Sequence, residues 1–546
     1  MGSKKKKKIN TNKKNSINKS IVLDKDNDSL KNAVSEDIII KRKKFCLFFI
    51  LWICIFGACL LKKTLQNDTF YTIKIGELII NNGIDMMDHF SFHSGLAYTY
   101  PHWLYDVFIY LIYSLFGYVG IHISSVILYL LLIVLVFKVC NSITSNYTVS
   151  AFATFICTLA LSSFATARAQ LVSFLVFALQ IYFIESFLKS KKKKYLFGLL
   201  LLSLILCNIH VAVWPFYFIL FLPYLAEYVI SFVVNKIKIK KDNWFITFLK
   251  KKFIVERNKN IKWLFIIMLV SLVTGLFTPI GDTPYTYLIK TMIGNSQDYI
   301  MEHQMISWAN SPFTIIIAVE TLVLALISKI KLRDLFMLCG LVLMSIVSTR
   351  HLSLLALVGS ICYARLFSTF LENYGFCIDD KIIAFFHKKS VAFISFLVVI
   401  IFSGFMFYNQ LNKDFIDKDL YPVEAVKYIK ENFDVNEIRI FNEYNFGSYL
   451  ILNDIPVFID SRADLYTKQF SGFDYDIFDD FYYLLYNYEK TFEFYDITHI
   501  LMYKKEDSQF YNMINTNRGY KVLYEDEHFA FFERLDNSTD IVISYN

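Results

Sequence analysis

Long apolar runs recur through most of this chain and are separated by short polar or basic segments. Each run suits an α-helix that crosses a hydrocarbon core of about 30 Å. The pattern predicts a polytopic α-helical membrane bundle of about 11 spans, within a range of roughly ten to thirteen. The predicted spans are residues 45–61, 119–137, 149–164, 171–188, 196–207, 211–233, 263–277, 313–330, 335–348, 352–367 and 391–407.

Basic residues give this bundle a predicted orientation. Lysines cluster at residues 4–8, 41–44, 189–194, 236–252 and 388–389, mostly beside an apolar run. Such blocks stay in the cytoplasm, so the N-terminus is predicted to be cytoplasmic. The later blocks remain inside only if the chain crosses once between residues 103 and 139. Residues 104–116 are therefore predicted to form an amphipathic helix on the outer surface, which ends at a break near Gly117.

This orientation predicts three parts of the chain. Residues 1–43 form a basic, disordered cytoplasmic tail, and the first span is an uncleaved signal anchor. Residues 44–409 form the transmembrane domain with an outer loop at residues 62–118. Residues 410–546 form a soluble extracytoplasmic α/β domain, because short strand-like runs alternate there with helical patterns. A small doubly wound sheet is expected, with strands near 438–441, 456–459, 498–503, 521–524 and 528–533.

Composition narrows the function classes. The chain has 546 residues, of which 55% are hydrophobic and 19% charged, with a net charge of +8. Nucleic acid is not an expected partner, because the lysines border apolar runs instead of forming a separate basic surface. The nine cysteines are scattered without a C-x-x-C pair. Neither a disulfide framework nor a zinc site is indicated. No glycine-rich nucleotide-binding motif occurs either.

Ionisable residues at the predicted outer face are the first candidates for a functional site. Charged groups at membrane depth are costly unless they are paired or used, so each one is a functional hypothesis. The orientation places five such residues at one level, where they can converge on one outer cavity. They are Asp68, Arg168, His210, Arg350 and His351. Headgroup contact is the alternative for the two arginines, and Glu320 within a span indicates either a structural pair or a proton path.

The predicted outer loop is the densest segment of this kind. Asp85, Asp88 and His102 follow Asp68 there, among aromatic residues. Carboxylates beside histidines suit general-base activation of an acceptor hydroxyl. They also suit a divalent ion, Mg²⁺ or Mn²⁺, held against a phosphate-bearing substrate, with Asp68 and Asp85 as ligands. Turn formation is the competing interpretation for Asp85 and Asp88, and anchoring of the interfacial helix is the one for His102.

The loop resembles the first outer loop of GT-C membrane glycosyltransferases. The matching features are an aspartate directly after the first span, a short helix, Gly-x-x-x-x-Asp from Gly83 and Pro-His-Trp-Leu from Pro101. The protein O-mannosyltransferase and lipid A aminoarabinose transferase branches are the most similar. The resemblance implies eleven to thirteen spans and a sugar donor linked to polyprenyl phosphate. It also implies that Asp68 is the catalytic base or a metal ligand, and that Arg168 or Arg350 binds the lipid phosphate.

A second resemblance is to a group of bacterial membrane proteins described only as glycosyltransferase-like. Asp-Thr-x-Tyr…Gly-Glu-x-Ile…Gly…Asp-x-Phe-Ser-Phe matches residues 68–92, and Phe-Asn-x-Tyr-x-x-Gly-x-Tyr-Leu…Phe-Ile-Asp-x-Arg-x-Asp-x-Tyr matches residues 441–466. Asp460, Arg462 and Asp464 in the second motif form either an acceptor-binding face or structural ion pairs. One departure from the GT-C pattern is Thr69, where a second acidic residue usually stands. Either Asp85 or Asp88 supplies the second carboxylate, or the site is not catalytic in that manner.

Three functions therefore remain open from the sequence. The first is a glycosyltransferase of the bacterial inner membrane, with membrane lipids around it, a polyprenyl-phosphate donor and an extracytoplasmic glycan, lipid or protein as acceptor. The second is a transporter or flippase, although no internal repeat with Gly- or Pro-broken helices supports it. The third is a non-catalytic scaffold whose outer domain binds a partner.

The predicted orientation can be tested with single cysteines at positions 168 and 192. We expect a cysteine at 168 to react with a membrane-impermeant maleimide added outside intact cells, because this position faces outward. A cysteine at 192, within the lysine block, should react only after the cells are opened. The reverse pattern would overturn the orientation.

Overall fold

The computed structural model describes residues 40–236, 252–294, 312–374, 378–505 and 508–535. The predicted basic tail, most of the lysine block at 237–251 and the segment 295–311 lie outside the described residues, as does the side chain of Glu320. The longer helices before residue 412 are Ile40–Leu60, Asn67–Asn82, Trp103–Thr144, Tyr147–Leu161, Ala169–Ser190, Lys194–Ile209, Leu222–Lys236, Ile261–Leu272, Thr283–Ile293, Pro312–Ile327, Leu332–Val347, Ser360–Asn373 and Lys389–Leu411.

A helix overlaps every predicted span. Within the described residues, six helical segments are long and apolar enough to cross a membrane. They are Ile40–Leu60, Trp103–Thr144, Ala169–Ser190, Val211–Phe232, Thr349–Asn373 and Lys389–Leu411. Three further apolar helices, Tyr147–Leu161, Lys194–Ile209 and Ile261–Leu276, are shorter than that criterion requires. The described residues therefore contain a bundle with helices capable of spanning a membrane, and the full span count stays a prediction.

The break at Gly117 is confirmed. Gly117 has φ 60° and ψ −154° and divides the helical segment Trp103–Thr144 into residues 103–116 and 118–144. A Cβ atom at this position would meet no atom within 4 Å, so the backbone conformation and not the available space requires glycine. The location of residues 103–116 at the membrane surface remains a prediction.

A buried ionic cluster joins four helices at one end of the bundle. Arg365 pairs with Asp334 at 2.5 Å and with Glu185 at 2.7 Å, and Arg333 pairs with Glu227 at 3.2 Å. All five side chains are buried or nearly so. Each helix carries a charge that only its neighbours can neutralise, so the cluster fixes which helices lie together. The sequence analysis did not single out these residues.

The C-terminal region, residues 412–535, contains a four-stranded sheet with helices. The strands stand in the order Ile440–Asn442, His499–Tyr503, Phe529–Arg534 and Tyr520–Glu525. The first pair is parallel and the other two are antiparallel. The expected doubly wound sheet is therefore wrong in detail, because a tight turn at Asp526 joins the last two strands directly. The helices are Val423–Asn432, Gly447–Leu452, Lys468–Ser471, Ile477–Tyr482, Leu484–Phe494 and Gln509–Thr516.

The predicted strand at 456–459 is not part of this sheet. Val457 instead forms an isolated parallel bridge with Ser91 of the first loop, which we define as residues 61–102. The Val457 amide donates to the Phe90 carbonyl at 3.1 Å, and the Phe92 amide donates to the Val457 carbonyl at 3.2 Å. The strand-like sequence therefore docks the first loop onto the C-terminal region.

Replacing Gly117 with alanine tests the break. We expect Gly117→Ala to lower the free energy of unfolding by about 1–3 kcal/mol, because φ 60° with ψ −154° is nearly restricted to glycine. Gly340→Ala is the matched control, since Gly340 lies inside the helix Leu332–Val347 and its added Cβ would also meet nothing within 4 Å. Thermal unfolding in detergent measures both variants. Equal stability of the two would contradict this explanation of the break.

Candidate active site

One cavity of about 580 Å³ lies between the helical bundle, the first loop and the C-terminal region. It adjoins a second cavity of about 130 Å³ that reaches between the helices. Six residues line both cavities and so mark their junction. They are Asp68, Tyr71, His102, Arg168, His210 and Arg350. Four of the six, Asp68, Arg168, His210 and Arg350, are residues that the sequence analysis placed at one level, and they come from four separate parts of the chain.

Asp68 and Arg168 form a salt bridge at this junction. The Arg168 Nη2 atom lies 2.5 Å from Asp68 Oδ2, and about a quarter of each side chain is exposed. Asp68 stands in the first turn of the helix Asn67–Asn82, and Arg168 is the N-cap residue of the helix Ala169–Ser190. The positive ends of both helices therefore point towards the junction, which favours a bound anion there.

His102 belongs to a hydrogen-bonded chain of three side chains. Its Nδ1 atom lies 2.7 Å from Asp106 Oδ1, and its Nε2 atom lies 3.1 Å from the Tyr71 hydroxyl. Asp106 is fully buried. When Nδ1 carries the ring proton and donates to Asp106, Nε2 accepts a hydrogen bond from the Tyr71 hydroxyl group. The sequence analysis missed Asp106, although its i+4 spacing from His102 at a helix start was a visible signal.

The remaining histidines hold positions around the same junction. His210 Nδ1 lies 2.9 Å from the Ser173 hydroxyl, and the His210 ring stands 6.4 Å from the ring of His102. His351 lines only the smaller cavity, and its Nδ1 lies 3.0 Å from the Met344 carbonyl oxygen. Arg350, its neighbour in sequence, lines both cavities.

Asp88 has a different environment from the catalytic one that the sequence predicts. Its carboxylate is fully buried outside the cavity lining, 2.5 Å from Arg462 Nη1. Burial would raise the pKa of Asp88, but Arg462 and the hydrogen bonds from Ser91 hold it below its usual value. Arg462 also binds both carboxylate oxygens of Asp460, at 2.8 and 2.7 Å, and Tyr466 donates to Asp460. Arg462 lines the large cavity, yet its guanidinium is already paired on two sides.

Asp85 also lies outside the cavity lining. Its half-exposed carboxylate binds His89 at 2.6 Å and accepts hydrogen bonds from the Met87 amide and the Tyr100 hydroxyl. Slight burial raises the pKa of Asp85, and these hydrogen bonds outweigh it and hold the pKa below the usual value. The turn interpretation of this segment therefore describes its geometry.

The metal prediction finds no ligand set in the described part of the chain. No group of three or more His, Cys, Asp and Glu side chains there is arranged to hold a metal ion. Asp68 is engaged by Arg168, and Asp85 does not reach the cavity. In this arrangement, these residues do not fit a divalent ion.

Asn442 and Gly447 of the second sequence motif make structural contacts. The buried side-chain amide of Asn442 donates to the Ile459 carbonyl at 2.7 Å and accepts from the Phe458 backbone amide at 2.9 Å. Gly447 packs so closely that a Cβ atom would stand 2.1 Å from the Ile459 carbonyl oxygen. Both contacts hold the segment that carries Asp460 and Arg462. The spacing between the two halves of the motif is therefore the one that lets Asn442 and Gly447 pack against residues 458–459.

Two carboxyl groups from the C-terminal region line the large cavity. Asp464 was noted in the sequence, and it accepts a hydrogen bond from Tyr287 of the helix Thr283–Ile293. Glu443 was missed, because nothing in its local sequence separates it from a surface glutamate. Burial raises the pKa of Glu443 to about 7, against the opposing effects of the Tyr503 amide and Lys505.

Similarity to known proteins lies in the structure and not in the sequence. No family model and no curated protein matches the chain, whereas solved structures do. The oligosaccharyltransferase AglB from Archaeoglobus fulgidus, in complex with an inhibitory peptide and dolichol-phosphate, aligns with a TM-score of 0.52 at 10% identity, over 84% of this chain and 69% of that one. ArnT from Cupriavidus metallidurans, bound to undecaprenyl phosphate, aligns with a TM-score of 0.51 at 9% identity, over 91% and 98%.

The chain has the GT-C fold. The sequence resemblance to this fold class is therefore confirmed at the level of architecture. At such low identity the GT-C likeness concerns the fold alone, so donor, acceptor and residue roles remain to be argued from the site.

The buried Arg462 pairs provide a stability prediction. We expect Arg462→Met to lower the free energy of unfolding by about 3–5 kcal/mol, because Asp88 and Asp460 would remain buried without their cation. Arg439→Met is the control, since Arg439 and Asp496 form an exposed pair at 3.3 Å, which should contribute at most about 1 kcal/mol. Thermal unfolding of the purified protein measures both. Similar losses in the two variants would contradict a structural role for the Arg462 pairs.

Proposed function

We propose that this protein is a membrane glycosyltransferase that transfers a sugar from a polyprenyl-phosphate-linked donor to an extracytoplasmic acceptor. The observation that carries the proposal is the composition of the cavity. Arg168 and Arg350 line both of its parts, whereas Glu443 and Asp464 line only the part that faces the C-terminal region. Two arginines outnumber Asp68 at the first end, which we call the cationic end, and at the other end Arg462 is already paired with Asp88 and Asp460. These two ends suit a phosphate donor and an uncharged or cationic acceptor.

The cationic end is the proposed donor-phosphate site. Guanidinium groups bind phosphate oxygens through paired hydrogen bonds, and two helix N-termini add their positive ends. In the two similar structures, AglB is in complex with dolichol-phosphate and ArnT is bound to undecaprenyl phosphate, and both ligands have this chemistry. The smaller cavity between the helices leads away from this point and offers a route for the lipid chain. His210 and His351 are proposed to help bind the donor there.

Asp68 is proposed to act at the reacting carbon of the sugar. Its carboxylate orients Arg168 through the salt bridge and stands where positive charge develops as the bond to the phosphate breaks. His102, tied to the buried Asp106, is proposed to fix Tyr71 beside it. Asp88 and Arg462 are proposed to support the site by holding the first loop against the C-terminal region.

The volume of the cavity agrees with this role. A cavity of about 580 Å³ can hold a sugar with its phosphate and part of an acceptor, within the range of about 300–1,000 Å³ common for small-molecule sites. Aromatic side chains, including Phe478 and Tyr482, line the part near the C-terminal region. They offer apolar faces on which a sugar ring can pack.

The setting proposed for this reaction follows the sequence analysis. The protein is proposed to lie in a bacterial inner membrane with a cytoplasmic N-terminus and residues 410–546 as the extracytoplasmic domain. The donor then reaches the cavity from the surrounding lipid, and the acceptor reaches it from outside.

Sugar transfer by Asp68→Asn tests the proposal. Proteoliposomes receive a panel of radiolabelled polyprenyl-phosphate sugars together with cell-envelope extracts as acceptors. We expect the wild-type protein to form a labelled covalent product and Asp68→Asn to form it about 10²–10³-fold more slowly, because an electrostatic contact of the transition state is lost. Unchanged transfer by this variant would remove Asp68 from the mechanism.

The control for this experiment is Asp454→Asn. Asp454 also forms a salt bridge with the helix Asn67–Asn82, through Lys74 at 2.7 Å, but it is largely exposed and outside the cavity lining. Its rate should equal that of the wild type. Movement of labelled lipid across the bilayer without any covalent product would favour a flippase. Binding of an envelope component with neither lipid movement nor a covalent product would favour a scaffold.

A further inference from the structure

Glu443 differs from the other carboxyl groups that line the large cavity. Asp68 is paired with Arg168, and Asp464 accepts the hydroxyl of Tyr287. Glu443 forms no salt bridge with any described residue, and its Oε1 atom accepts the Tyr503 amide at 2.9 Å. It follows directly after the strand Ile440–Asn442, so the sheet holds its backbone in place. Glu443 thus lines the cavity from a fixed backbone position, and its carboxyl group has no salt-bridge partner among the described residues.

The surroundings of Glu443 favour proton exchange near neutral pH. Burial raises its pKa from 4.5 to about 7, and the Tyr503 amide and the Lys505 ammonium oppose this rise without cancelling it. Tyr503 is the last residue of the neighbouring strand His499–Tyr503, and Lys505 lies two residues beyond it. Tyr444 and Asn445, which follow Glu443 in the chain, also line the cavity. A general base is most effective when its pKa lies close to the working pH.

We infer that Glu443 is the general base of the proposed transfer and accepts the proton of an acceptor hydroxyl group. The inference rests on the proposed function and adds a residue that no sequence motif assigns. It also assigns the acceptor a chemical class, an alcohol, whose O–H must be deprotonated as the new bond forms.

The proposed step balances as follows. The acceptor oxygen forms a bond to the anomeric carbon of the sugar, and the bond from this carbon to the lipid-phosphate oxygen breaks. The electron pair leaves with the polyprenyl phosphate, whose charge Arg168 and Arg350 neutralise. The hydroxyl proton passes to the Glu443 carboxylate, which later releases it to water. No oxidant or further reactant is required.

The choice of Glu443 over Asp68 has a physical reason. The Asp68 carboxylate already holds the Arg168 guanidinium in a salt bridge, so it is engaged in orienting that cation. Asp464 is similarly engaged by Tyr287. Glu443 gains from protonation because its burial disfavours the charge.

The first test is the pH dependence of sugar transfer to an alcohol acceptor. We expect kcat/KM of the wild type to rise with pH and level off above about pH 7, as Glu443 loses its proton. Glu443→Gln should lose this rise and react about 10²–10⁴-fold more slowly at pH 8, while its Kd for polyprenyl phosphate stays unchanged. Glu443→Asp should restore part of the rate. Glu437→Gln, at an exposed glutamate of the same region, should match the wild type.

The second test uses stability and does not depend on transfer. A carboxyl whose pKa is raised from 4.5 to about 7 on folding contributes stability that is lost as pH rises through 7. Glu443→Gln removes this loss, so its melting temperature should rise relative to that of the wild type between pH 5 and pH 8.

Failure of the Glu443 inference and failure of the proposed function give different results. Transfer by Glu443→Gln with the wild-type rate and pH profile would overturn the inference while leaving the proposed function intact. A wild type that transfers no sugar would overturn the proposed function and, with it, the role of Glu443 as a base. A melting temperature difference that is the same at both pH values would contradict the buried carboxyl on which the inference rests.

Discussion

The geometry of the site depends on the ion pairs of the buried Arg462 guanidinium. This guanidinium joins Asp88 of the first loop to Asp460 of the C-terminal region, two residues separated by most of the chain. A buried charge is tolerated only when its partners are correctly placed, so neither region can shift far without a large energetic cost. The neighbouring backbone bridge between Ser91 and Val457 adds directional hydrogen bonds to the same junction. Together these contacts close one wall of the cavity.

The helical bundle provides the opposite wall by the same physical means. Arg333 and Arg365 hold acidic side chains of neighbouring helices in a buried cluster at one end. At the other end, the N-termini of the helices Asn67–Asn82 and Ala169–Ser190 meet at the pair of Asp68 and Arg168. Ion pairs thus specify which helices lie together, which apolar contacts among similar side chains cannot do alone. The cavity lies between the Arg462 ion pairs on one side and the pair of Asp68 and Arg168 on the other.

The division of charge within the cavity is the reason for favouring a transfer reaction. Arg168 and Arg350 lie with one carboxylate, Asp68, where the cavity continues between the helices. Glu443 and Asp464 lie where it meets the C-terminal region, beside Arg462, which is already paired with Asp88 and Asp460. A transferase needs two different environments at one reacting atom. The GT-C fold is shared with the two similar structures at about one identical residue in ten.

The sequence by itself determined the membrane bundle, the break at Gly117 and the group of residues from which Asp68, Arg168, His210 and Arg350 came. Hydropathy, helix breaks and charge bias are local properties, so a single sequence carries them. Tertiary structure decided the partners of these residues. Asp88 pairs with Arg462 and Asp68 pairs with Arg168, whereas Asp85 lies in a surface turn with His89. Tertiary structure also placed Glu443 at the cavity, which no local pattern could indicate. Whether a carboxyl is paired, exposed or buried without a cation depends on residues far away in sequence, and only the packed chain brings these together.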